Sequence, residues 1–201
     1  MSDKFFNFKI SDGKRKGKLV SCAGLVYQYW TQAEATVGDD DGVGTFELAE
    51  EESVVVDGIA NLSCARQLQL AGNKSTVTGV DVKIIGTNIE NKQISEVVTL
   101  NGLTAVATTK AFKRVDALIL PERINEEQES VDNDAVVVGY TEKLGLKASA
   151  RAVVNLGSYA GDVADANVAF TCDKDEVEKN MIKFNSSLGT GTRDTCYFVR
   201  E

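Results

Sequence analysis

Residues 76–121 constrain the fold more than any other part of the chain. Val80, Val82 and Ile84 alternate with Asp81 and Lys83, the pattern of a half-buried strand. Residues 86–93 are polar and hold two asparagines, so they read as the connecting turn. Alternation resumes with Ile94, Val98 and Leu100 on one face and Ser95, Val97 and Thr99 on the other. Glu96 falls on the apolar face, an irregularity that a bulge or an edge position accommodates. Asn101-Gly102 is a strong hairpin signal. Strands over 104–109 and 115–120 then complete a predicted β-meander. Nothing in this stretch is catalytic, so the pattern identifies a β-rich domain and leaves its task open.

The rest of the composition fits that frame. The 201 residues are 43% hydrophobic, with 17 glycines and many Val, Ile and Thr, which suits sheets. One β-domain over residues 1–201 is expected, with residues 1–35 as a candidate N-terminal arm or interface extension. A net charge of −8 argues against a broad surface for nucleic acid or anionic membrane. No apolar run is long enough for a transmembrane helix, and residues 1–18 lack the apolar stretch of a signal peptide, so synthesis in the cytoplasm is expected. The chain contains no histidine, which excludes Ser-His-Asp and Cys-His nucleophile pairs and the HExxH metal motif. Cys22, Cys64, Cys172 and Cys196 form no CxxC pair and read as free thiols, with a Cys172–Cys196 pairing as the alternative. No catalytic residue, cofactor or metal is expected.

Along the chain, Phe5, Phe6 and Phe8 precede a basic tip of Lys14, Arg15, Lys16 and Lys18. The aromatics are candidates to staple an arm onto the domain or a neighbouring subunit. The tip is either a solvated hairpin end or a contact for an acidic partner or for nucleic acid. In residues 19–31, Tyr27, Tyr29 and Trp30 put bulk on both faces of a predicted strand, which suits a strand buried on one side and covered by a partner or a loop on the other. The run Gly38-Asp39-Asp40-Asp41-Gly42 lacks the spacing of a calcium loop and reads as a polar turn. Further strands are predicted over 45–48, 53–56, 65–70, 136–139, 150–156, 166–172 and 196–199. A turn is expected in residues 141–146, an acid-rich loop over 122–134, and a helical turn followed by a strand within 173–184.

The central segment, VKIIGTNIENKQISEVVTLNGLTAVATTKAFKRVDALI, resembles one recurrent in virion proteins of tailed bacteriophages. A strand ending in Gly86-Thr87 is followed there by Ile94-Ser95-Glu96, a corner containing Leu100 and Gly102, and Thr109-Lys110-Ala111-Phe112. The similarity extends to Val138-Gly139, Lys143-Leu144-Gly145-Leu146, Glu178-Lys179-Asn180 and Asn185-Ser186, about 110 residues in all, and does not reach residues 1–70. It implies an antiparallel β-sandwich, jelly-roll-like, with at most one or two short helices. It also implies a non-enzymatic role in the virion, first as a capsid decoration (cement) protein and second as a head–tail connector or tail accessory protein. The implied partners are the major capsid protein, other virion proteins and further copies of the chain, with a trimer favoured, and neither nucleic acid nor membrane. Phe5, Phe6, Phe8, Lys14, Arg15, Lys16, Lys18, Tyr27, Tyr29 and Trp30 are the candidate contacts. A reading of another class is a carbohydrate-binding β-sandwich with Tyr27, Tyr29 and Trp30 as its platform.

Overall fold

The computed structural model describes residues 25–30, 38–56, 60–124, 133–147, 152–156, 168–171, 175–184 and 193–198; for 25–30, 152–156, 168–171, 184 and 193–198 the description is of backbone alone. The fold is all-β and antiparallel, as the alternating stretches require. A three-stranded sheet places β1 (Leu25–Trp30) beside β12 (Arg193–Phe198), and β12 beside β9 (Ala152–Leu156).

The larger sheet runs β10 (Val168–Thr171), β11 (Met181–Phe184), β8 (Ala135–Gly145), β4 (Asn61–Gly72), β7 (Val106–Leu120), β5 (Thr78–Thr87), β6 (Gln93–Asn101). Two more strands complete it. β2 (Asp39–Glu47) pairs with β8, and β3 (Ser53–Val55) pairs with the C-terminal part of β7. A 3₁₀ turn at Val177–Lys179 precedes β11, matching the expected helical turn followed by a strand. Among the described residues no helix is long and apolar enough to cross a membrane.

The long strand β7 organises this sheet. Its first half pairs with β4 and its second half with β5, while the chain turns back from β6 into β7 without forming a ladder between them. Only a bridge between Asn101 and Thr104 marks that turn, where Gly102 takes φ 58°. The expected meander is therefore corrected: β5 lies between β7 and β6. The two strands expected over 104–109 and 115–120 are one. The sheet curls so that β6 returns against β4 and β7. The space enclosed holds the core, including Leu68, Leu70, Val82, Ile84, Leu100, Phe112, Leu118 and Val138. A bulge between Val115 and Ala117 resets the alternation, so that Val115 and Leu118, three residues apart, both face this core.

Three register shifts fall side by side across four strands. β2 bulges between Asp39 and Gly44, β8 between Tyr140 and Leu144, and β7 between Ala107 and Ala111. Two of them correct the sequence reading. Both the acidic Gly38–Gly42 run and residues 141–146 carry turn residues, yet they lie largely in bulged strands. Gly139 permits the first, since a Cβ there would lie 2.1 Å from the Asp39 carbonyl oxygen.

A bulge frees backbone groups, which must find partners when buried. Here polar side chains supply them. Thr108 Oγ1 accepts from Leu68 N (3.0 Å) and donates to the Lys110 carbonyl (2.7 Å). Gln67 Nε2 donates to the Thr108 carbonyl (2.6 Å), and Gln67 Oε1 accepts from Thr141 Oγ1 (3.0 Å). Thr141 Oγ1 also accepts from Lys143 N (3.1 Å). On the far side of the β7 bulge, the Glu96 carboxylate accepts from Thr109 N (2.6 Å) and Lys110 N (3.0 Å). This explains the carboxylate on an otherwise apolar face: the bulge belongs to β7, and Glu96 reaches across from β6 to close it.

Candidate functional site

Two surfaces emerge from this architecture. The first is the outer face of the sheet formed by β3, β7, β5 and β6. Registers place Val54, Ile119, Lys83 and Val97 in one row across the four strands. Their neighbours Val55, Leu118 and Ile84 point the other way, into the core. Val54 and Val97 remain 61% and 55% exposed, and Val56, just beyond β3, is 62% exposed. Ile85 and Ile119 are half-buried on the same face. Exposed Lys83 stands between Ile119 and Val97, so the face combines branched apolar side chains with one cation, a mixture that suits a contact face. Polar groups frame it: Asp81 accepts from Thr99 Oγ1 at 2.5 Å, and Arg114 pairs with Asp116 at 2.5 Å. That hydrogen bond, with the charge of Asp116, holds the Arg114 guanidinium above its ordinary pKa.

The second surface is an open cleft of about 500 Å³ where the bulges line up, bordered by Asp40, Gln67, Gln69, Tyr140 and Thr141. The Arg66 guanidinium stacks 4.6 Å from the Tyr140 ring centroid. Gln69 Nε2 donates to Asp40 Oδ1 at 2.6 Å, and Lys183 pairs with Glu142 at 2.6 Å. Its polar side chains largely satisfy one another and the bulged backbone, so the cleft reads as the lining of a crease. Among the described residues no group of three or more His, Cys, Asp or Glu side chains is placed to hold a metal ion.

The described residues do not place the side chains of the contact residues singled out from sequence. Phe5, Phe6, Phe8, Lys14, Arg15, Lys16 and Lys18 lie outside the described residues. Tyr27, Tyr29 and Trp30 lie in β1, with Cα partners Cys196, Asp194 and Arg193 on β12, and their side chains are outside the description. Cys22 and Cys172 are outside it as well, while Cys64 lies in β4.

Sequence reasoning missed the outer row. Val54 and Val56 alternate like core residues, and only the strand order shows that their face is uncovered among the described residues.

Some of the recurrent-looking segments lie beside one another among the described residues. Beyond the Glu96 clasp, Lys110 Nζ donates to the Ser95 carbonyl (3.0 Å) and lies 3.9 Å from Glu178 Oε1. Leu146 N donates to the Asn180 carbonyl (2.8 Å). A Cβ at Gly145 would press on Ala65 and Ala111, and one at Gly86 would lie 2.1 Å from the Arg114 carbonyl oxygen. These positions thus form one packing and hydrogen-bonding hub, fit to fix a fold. Compared with protein-family models, curated proteins and solved structures, the chain matches none.

Proposed function

We propose that this chain is a non-enzymatic structural subunit of a phage particle, and specifically a decoration protein on the outer capsid lattice. The observation that carries the reading is the row of exposed Val54 and Val97 with half-buried Ile119, crossed by Lys83, on a sheet face braced from beneath by a packed core. The kind of particle comes from the sequence resemblance alone. The mechanism is mass action. A subunit that binds only neighbouring capsid proteins in the assembled shell stabilises that shell over its dissociated parts. A contact of about 800 Å² per partner, repeated over the lattice, is sufficient.

Mixing the purified protein with capsids that lack it, and following shell melting, tests this. Stoichiometric binding with a raised melting temperature is the expected result. No binding and no gain in stability overturns the proposal. The copy number separates the decoration role, with subunits over the whole lattice, from a head–tail connector confined to one vertex.

A further inference from the structure

The outer row begins directly after a run of three acids. Glu50, Glu51 and Glu52 are exposed and lead into β3, where Val54 opens the row. Glu50 is ion-paired with Arg123 at 3.0 Å, and Glu51 and Glu52 are the exposed acids beside it. Val54, Val56 and Val97, with Lys83 between the first two and the last and the carboxylates at the β3 end, complement a segment whose bulky apolar side chains are followed by a cluster of cations.

The chain itself carries such a segment. Phe5, Phe6, Phe8 and Ile10 are followed by Lys14, Arg15, Lys16 and Lys18. The scales agree. Val54 and Val97 are three strand spacings apart, about 14 Å. The chain from Phe8 to Lys14 reaches about 20 Å when extended. That length lets the phenylalanines lie on the valines while the cations meet the acids.

We infer that residues 5–18 of one copy dock on the outer row of a second copy. The phenylalanines cover Val54, Val56 and Val97, and the basic tip meets Glu51 and Glu52. The arm takes the same face that the capsid reading uses, so a copy holding an arm there must release it to bind the shell through that face. Self-association is tested without a capsid, so failure of this inference is told apart from failure of the capsid reading.

The test uses full-length protein and sedimentation equilibrium. One variant reverses the tip (Lys14→Glu, Arg15→Glu, Lys16→Glu). The other reverses the receiving acids (Glu51→Lys, Glu52→Lys). The wild type is expected to self-associate. Each variant alone sets like charges against each other and is expected to associate about a hundredfold more weakly or worse. An equimolar mixture restores opposite charges between copies and is expected to recover wild-type association. Circular dichroism checks that each variant is folded. If reversal disturbs folding, glutamine at the same positions gives a second set, expected to weaken association about tenfold with no rescue on mixing. A monomeric wild type, or variants that associate like the wild type, overturns the inference. Weakened charge-reversed variants that mixing fails to rescue place the contact within one chain and overturn it too, as do glutamine variants that associate like the wild type.

Discussion

At Glu96 a single carboxylate accepts two backbone N–H groups that the β7 bulge would otherwise leave without a partner. Alanine leaves the exposed Thr109 N–H to water and takes this partner from the half-buried Lys110 N–H, and Glu96→Ala is expected to destabilise the fold by about 0.5–1.5 kcal/mol in urea titration. Glu96→Gln keeps one acceptor oxygen and is expected to cost less. Thr108 is the corresponding residue on the β4 side. It is buried and serves Leu68 N and the Lys110 carbonyl, so the isosteric Thr108→Val is expected to cost about 1–3 kcal/mol despite its unchanged shape. The surface pair Lys92–Glu90, 2.9 Å apart, behaves differently. Its hydrogen bond and the Glu90 charge raise the Lys92 pKa, so its contribution is present at neutral pH and fades as pH climbs through the raised value. Lys92 is fully exposed, and Glu90→Gln is expected to leave the melting temperature near wild type, with any difference vanishing in the alkaline range. Of these residues, Glu96 announced itself in the sequence, as a charge out of phase with its face. Thr108 did not, because a threonine in a threonine-rich strand looks ordinary until its neighbours are known.

Among the elements, period-two alternation located the strands well, since burying one face of a sheet requires it. Ile94, Val98 and Leu100 are buried, and Ser95, Val97 and Thr99 are exposed, as expected. Which strands become neighbours was not legible. Alternation assigns faces but not partners, so β5 could not be seen to separate β7 from β6. Turn chemistry misled twice for one reason. Asp, Gly and Thr meet the needs of a bulge as they do those of a turn, and both Asp39–Gly44 and the Thr141 region are bulged strands. The two faces of one sheet should therefore respond oppositely to mutation. Leu118→Ala opens a cavity in the core and is expected to cost about 2–5 kcal/mol. The triple variant Val54→Thr, Val56→Thr, Val97→Thr keeps β-branching on the outer row and is expected to stay within about 1 kcal/mol of wild type. The same variant is expected to bind capsids about tenfold more weakly or worse, read from saturation of the shell-melting shift.

For the molecule as a whole, the curled sheet joins a stiff body to an apolar face. The core fixes the direction of the outer row, and the clasps at Glu96 and Lys110 fix the curl, so the row is presented without a folding cost on contact. Neither the row nor its acidic head could be read from residue types alone, because exposure is a property of the assembled sheet. The most direct measurement is a cryo-electron microscopy reconstruction of capsids saturated with the protein. Density is expected to show the outer face of β3, β7, β5 and β6 buried against a neighbouring subunit, with Val54 and Val97 out of solvent. A reconstruction in which that face stands open to water while the protein is held through other surfaces would contradict the claim that this face does the binding.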